Sequence, residues 1–102
     1  MANNRGVFTG GLNVVPVNTM DYITITSTGN ATDFGNLTEA CQQNGGASNR
    51  TNERGCIALG RNSDGDPINV IDYITINSTG NGTDFGDLTV ARRGNPTGVS
   101  NA

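Results

Sequence analysis

The sequence predicts an all-β repeat protein, and three observations carry that prediction. Residues 20–38 (MDYITITSTGNATDFGNLT) recur as residues 71–89 (IDYITINSTGNGTDFGDLT). The copies differ at only four of nineteen positions, Met20/Ile71, Thr26/Asn77, Ala31/Gly82 and Asn36/Asp87. They lie 51 residues apart in a chain of 102, and a fixed period near 50 marks a propeller, a solenoid or an array. Each copy contains a strictly alternating run rich in β-branched residues, and no segment keeps a helical period.

Each repeat divides into four segments. The first is an apolar run closing on glycine, RGVFTGG at 5–11 and RGCIALG at 54–60. The second is DYITIT at 21–26, or DYITIN at 72–77, in which Ile23 and Ile25 point to one side and Tyr22, Thr24 and Thr26 to the other, as period 2 requires. The turn cluster Ser27-Thr28-Gly29-Asn30 suits a tight hairpin and leads into the third, ATDFGNL at 31–37 or GTDFGDL at 82–88. The fourth is polar and glycine-rich, QNGGASN at 43–49 and GNPTGVSN at 94–101. Pro16, Pro67 and Pro96 read as connecting residues. Four short antiparallel strands in about 50 residues make one propeller blade. Because each blade is sandwiched between neighbours, both strand faces need apolar character, which Ile on one side and Tyr and Thr methyls on the other supply. A β-solenoid is the competing architecture, but its repeats are shorter.

Composition narrows the function. Apolar residues make up 33% of the chain, with no Trp, three Phe and two Tyr, against roughly 45–50% (glycine included) in ordinary domains. A core this thin makes a stable isolated monomer doubtful. Disorder is disfavoured, because the net charge is only −3 and Thr, Ile and Val are frequent. The chain has no Lys, and its six Arg are scattered, so there is no basic stripe for nucleic acid. No stretch has the length and apolarity of a membrane span. The start, MANNRGVF, lacks the regions of a signal peptide, so a virion location would be reached through particle assembly or lysis. Cys41 and Cys56 have no counterparts in the other copy; the sequence leaves a disulfide between them open, with reduced thiols the commoner state where no signal peptide is seen. Without His or a CxxC pair, zinc has almost no ligands here, and no metal or cofactor is expected.

The Arg-led strand closing on Gly10-Gly11, the Tyr-bearing strand, the Phe34-x-x-Leu37 strand and the polar strand resemble kelch-type blades. The fuller pattern RGVF-x-GG…DYITI-x-STGN-x-TDFG-x-L is similar to tandem repeats of marine bacteriophage and metagenomic proteins, and covers nearly the whole chain. The second copy departs at the glycine pair, with Leu59-Gly60-Arg61, and Phe34 and Phe85 stand where kelch repeats have Trp. The resemblance implies a propeller fold and no particular activity.

Two blades cannot close a ring, so the expectation is head-to-tail homo-oligomerisation, with three chains giving a six-bladed propeller and four giving eight. The text GVSNA followed by MANNRGV nearly repeats GASNRTNERGC at 46–56, so the polar strand around 95–101 is expected to clasp the next subunit.

The repeated carboxylates Asp21/Asp72 and Asp33/Asp84 are the obvious acid–base candidates, but Asp beside tight turns ordinarily caps backbone amides. Ser and Cys nucleophiles lack a His to activate them, so no enzyme is expected. Asn62-Ser63-Asp64-Gly65-Asp66 resembles a calcium loop, yet an EF-hand counted from Asn62 would need Gly where Pro67 stands and Glu where Tyr73 stands. Asn30, Asn36, Asn49, Asn77 and Asn81 head N-x-S/T sequons, read as a by-product of Asn/Thr-rich turns. Arg5 and Arg54 recur at strand starts and either pair with the repeated Asp residues between blades or lie at the surface. The copies differ most at 12–19 against 61–70 and at 39–45 against 90–96. In a kelch-like blade these would be the loop between the second and third strands and the loop into the next blade. Variable loops on a rigid scaffold suit binding, which makes Arg61, Asp64, Asp66, Arg92 and Arg93 the candidate contacts. The expected function is a virion-associated adhesive module for a glycan or surface protein. A purely structural assembly unit is the alternative.

Overall fold

The structure, a computed structural model, describes residues 5–49, 53–92 and 98–100. It is all-β, built as two antiparallel sheets, one of them curled into a half-barrel. The strands are β1 (Arg5–Thr9), β2 (Leu12–Asn13), β3 (Val15–Thr24), β4 (Thr32–Gln42), β5 (Gly45–Asn49), β6 (Arg54–Ala58), β7 (Arg61–Asn62), β8 (Ile68–Thr75) and β9 (Thr83–Arg92). The first sheet runs β1-β3-β4-β7, with β2 paired to β3; the second runs β5-β6-β8-β9. Among the described residues no helix is long and apolar enough to cross a membrane.

Repetition in sequence becomes repetition in register. Val7 pairs with Tyr22 and Cys56 with Tyr73; Arg5 pairs with Thr24 and Arg54 with Thr75. The bulges recur as well, between Met20 and Asp21 and between Ile71 and Asp72. In both copies the Tyr ring meets the following Phe edge-on at 6.0 Å and carries the strand-leading Arg on its face, at 4.1 Å for Arg5 and 4.4 Å for Arg54. A guanidinium over an aromatic face is favourable because the ring quadrupole presents negative charge there.

The sheets stack face to face. Val7, Met20, Tyr22, Phe34, Leu37 and Cys41 of the first sheet meet Ile57, Leu59, Ile74, Val70 and Ile76 of the second in one apolar cluster. At about 25 cal/mol per Å² of apolar area buried, such side chains supply the main favourable term.

The chain does not loop between the sheets but bends as a strand. Gln42 of β4 pairs with Arg61 of β7, and Gly45 of β5 with Ala58 of β6, so β4 and β5 follow one continuous edge, β6–β7. The corner falls at Gln43, which has φ 56°. Strands that change sheets at a bend are one way of making corners in packed sheets. Gly60 (φ 82°) is glycine because a Cβ there would collide with the Gln43 carbonyl oxygen as β4–β5 passes.

Three expectations need correction. Segments 12–19 and 61–70 join the first and second strands of each unit, not the second and third, and contain β2, β7 and the starts of β3 and β8. Residues 39–42 and 90–92 are the ends of strands β4 and β9, not loops. Pro16 lies within β3, opposite Leu12, and the principal strands are long, with 10 residues in β3 and 11 in β4. Pro96 and most of the 95–101 segment lie outside the described residues; its described part, 98–100, is not a strand, and Gly98 lies against Gly46 and Ala47 of β5 in its own chain, not on another subunit.

Candidate functional site

The most organised polar structure in the molecule lies between the two sheets. Asp72 is 0% exposed. Both its carboxylate oxygens accept from the Thr38 hydroxyl at 2.8 Å, and Oδ2 also accepts from the Thr38 backbone N–H at 2.8 Å. A buried carboxylate is tolerated only when such donors replace its water. Beside it the Ser78–Gly82 turn of the second copy lies on β4 of the first. Gly80 N–H donates to the Phe34 carbonyl at 2.8 Å, Gly82 N–H to the Asn36 carbonyl at 2.7 Å, and Asn36 N–H to Asn81 Oδ1 at 3.0 Å. Gly35 (φ 150°) lies beneath this turn, and a Cβ there would run into the Gly80 carbonyl oxygen. Arg5 Nη1 adds a bond to the Ile76 carbonyl at 3.1 Å, so it links the sheets through a backbone oxygen as well as stacking on Tyr22.

The faces on either side of this interface are not equivalent. The first sheet contributes its Tyr face (Val7, Met20, Tyr22, Phe34, Leu37) and the second its Ile face (Ile57, Asp72, Ile74, Ile76). The outward faces are therefore the complementary copies. The first sheet turns out its own Ile face, with Phe8 62% and Ile25 65% exposed and Asp21 paired to Phe8. The second turns out its own Tyr face, Cys56, Ile71, Tyr73, Phe85 and Leu88, where Phe85 is 51% exposed against 2% for Phe34. A shallow groove lined by Cys56, Ala58, Ile71, Leu88 and Arg92 runs along this second face, and Gly98 of the same chain lines it too, lying against Gly46 and Ala47 of β5.

No protein family, curated protein or solved structure matches this chain. Its own internal repeat is thus the comparison that bears on the site.

The sequence-predicted contact residues fall together only in part. Arg61, in β7 of the first sheet, bridges Pro67, and Arg92 pairs with Ile68 of β8 in the second, so the two stand near each other where β8 begins. Asp64 and Asp66 lie in the intervening turn, and Arg93 lies outside the described residues. The turn satisfies itself: Asn62 Oδ1 accepts from the backbone N–H groups of Asp64 and Asp66 at 3.0 and 3.1 Å, and Arg61 Nε donates to the Gly65 carbonyl at 3.1 Å. The leading oxygen of the calcium-like run is thereby committed to the turn's own amides. Among the described residues no group of three His, Cys, Asp or Glu side chains is placed to hold a metal ion.

Both cysteines are free thiols. Cys41 is in the core, and burial first, then the charges of Asp72 and Glu39, push its thiol up to about 12 from an ordinary value of 9.0. It is protonated and inert at neutral pH. It also explains why the copies differ at Gly10 and Leu59. A Cβ at Gly10 (φ 59°) would lie 3.0 Å from the Cys41 carbonyl oxygen and 3.1 Å from its sulfur, whereas Leu59 fills the inter-sheet core. Sequence reasoning missed the Asp72–Thr38 contact, because Asp21 and Asp72 stand in identical text.

Proposed function

We propose that the chain is a non-enzymatic, self-assembling β-repeat module whose copies associate head to tail. The observation carrying this reading is that its two outward faces repeat, over residues 20–38 and 71–89, the two faces already joined within the chain. A first-sheet Ile face on one molecule and a second-sheet Tyr face on another would repeat the internal interface. That contact is heterologous, and a rotation that closes gives a ring. Three chains, six sheets, is the preferred closure, in the manner of a propeller.

The sheet edges support the same reading. The β6–β7 edge is covered by β4–β5, while its counterpart β1–β2 has no strand on its outer side among the described residues. Gly60 is crowded by the covering strand, whereas its counterpart Gly11 (φ 107°) has nothing within 4 Å of where a Cβ would stand. Residues 95–101 of a neighbouring copy, which repeat the polar text of β5, are the proposed cover. An unpaired edge is a template for such addition.

The repeated carboxylates support a non-enzymatic role, since Asp72 is engaged as a structural acceptor. The variable region around the start of β8, with Arg61, Asp64, Asp66 and Arg92, is the proposed contact surface for a glycan or surface protein. Copies around a ring would add avidity to weak contacts. The likeness to bacteriophage repeats suggests a virion-associated adhesin as the setting. A purely structural unit without ligand is the second reading, favoured by the closed hydrogen bonding of the 61–66 turn.

Thiol labelling tests the assembly. Cys56 is expected to react at high dilution and to become protected as concentration rises, with Cys41 unreactive throughout. Labelling of Cys56 that is independent of concentration would contradict it. A broad glycan array separates the adhesive from the structural reading, since silence across it favours the latter.

A further inference from the structure

The internal interface allows the contact between copies to be written residue by residue, and this inference rests on the head-to-tail reading. We infer that the Ser27–Ala31 turn of one chain seats on β9 of the next, over Gly86, and that Asp21 of the first is received by Thr89 of the second. Within the chain the equivalent parts are the Ser78–Gly82 turn, β4, Gly35, Asp72 and Thr38, all in contact. Each has its copy on an outward face. Asp21 is half-buried on the Ile face, and Thr89 is exposed on β9.

Glycines mark the landing point. Gly35 lies under the Gly80 carbonyl, but Gly86, with nearly the same φ of 153°, has nothing within 4 Å of a Cβ position. The space that the neighbouring turn occupies at Gly35 is open at Gly86. Of the four substitutions between the copies, one falls in the docking turn. Ala31 takes the place of Gly82, where a Cβ would stand 3.3 Å from Asp72 Oδ2 and 3.5 Å from the Leu37 Cα, a tight but accessible fit. The Gly80 position, where a side chain would meet nothing within 4 Å, remains glycine at Gly29. The occupant is a second copy of this chain, because within the molecule an Ile face already packs against a Tyr face carrying the same repeated text, although Arg92 replaces the core Cys41, and Thr19 and Gly10 replace Val70 and Leu59, at the outward joint. Continuity with that established interface also fixes which way round the copies stack.

Sedimentation across a concentration series, on the 102-residue chain and on Asp21→Ala, Thr89→Val and Gly86→Ala, tests the assignment. Each variant is expected to raise the association midpoint at least about tenfold, the loss of one charge-assisted hydrogen bond or the introduction of one steric clash, with the circular dichroism of the wild type retained. Asp21→Ala combined with Thr89→Val is expected to be no worse than Asp21→Ala alone, since Thr89→Val removes only the hydroxyl part of the same contact. If the wild type associates and Asp21→Ala and Thr89→Val leave its midpoint unchanged, the assignment is wrong while head-to-tail association stands. A wild type that stays monomeric at every concentration defeats both.

Discussion

Replacing Asp72 with alanine should unfold the protein more readily than any other single change of a polar side chain in the second sheet. The carboxylate is fully buried and accepts from two Thr38 donors, the backbone N–H and the hydroxyl, whose single proton is shared between both oxygens, all at 2.8 Å. Hydrogen bonds to a charged group contribute about 1.5–3 kcal/mol each. Two effects reduce the sum. Thr38 is itself exposed, so its donors can turn to water once Asp72 is gone. Removing a carboxylate from a dry site also recovers its desolvation cost, which is several kcal/mol for a buried ion. The balance is a net loss of about 2 kcal/mol, a substantial part of the roughly 5–15 kcal/mol of a typical domain. For a chain of this size that lowers the melting temperature by roughly 8–16 °C. Urea denaturation followed by far-ultraviolet circular dichroism, at fixed low concentration, measures it. Asp72→Asn, which keeps one acceptor oxygen, should fall between. A Asp72→Ala variant within about 0.5 kcal/mol of wild type would refute the reasoning, since that is the range of unremarkable surface changes.

Other expected outcomes follow the same asymmetry between the copies. Phe34→Ala should cost about 3–5 kcal/mol of stability as a core truncation, while Phe85→Ala should leave the monomer's stability within about 1 kcal/mol and weaken association instead; denaturation and sedimentation separate the two. Gly35→Ala should destabilise the fold by at least about 2 kcal/mol in a melt, because the Gly80 carbonyl occupies the site of the new methyl group. Val14, a β-branched residue at φ 66° and 95% exposed, is strained, so Val14→Gly should raise stability by about 1 kcal/mol. Native stability should decline as pH rises from about 9 towards 12. The unfolded Cys41 thiol ionises through that window while the folded one holds its proton, so the folded state binds more protons and loses ground. Three pH units at about 1.4 kcal/mol each set an upper bound of about 4 kcal/mol, and Cys41→Ala should flatten the slope in pH-dependent denaturation.

The local structure was largely legible in the sequence. The alternation in DYITI put Ile and Tyr on opposite faces, and the register confirms it, because Val7 pairs with Tyr22 and Gly6 with Ile23. The Ser-Thr-Gly-Asn cluster does separate β3 from β4 and β8 from β9. The glycine-rich text at 43–49 reads as a polar strand and is one, β5, but the corner at Gln43 was not legible, since 39–45 reads as a loop into the next blade when the chain in fact continues from β4 as a strand along β6–β7. Nor were β2 and β7, two residues each and close to prolines, which led segments 12–19 and 61–70 to be placed as loops one connection too late. The site was the least visible part. Asp21 and Asp72 sit in the same words, DYITI, and only the stacking order makes one a buried anchor and leaves the other on an outward face. No local pattern encodes that order; it arises from which sheet comes first.

On the head-to-tail reading, the outward faces are the two halves of the same joint. The most direct test is the mass of the 102-residue chain in solution by sedimentation equilibrium at micromolar concentration. The account predicts a discrete closed species, with three times the 10.6 kDa chain mass as the preferred value, dissociating on dilution. A folded species that keeps the 10.6 kDa mass at every concentration would contradict it.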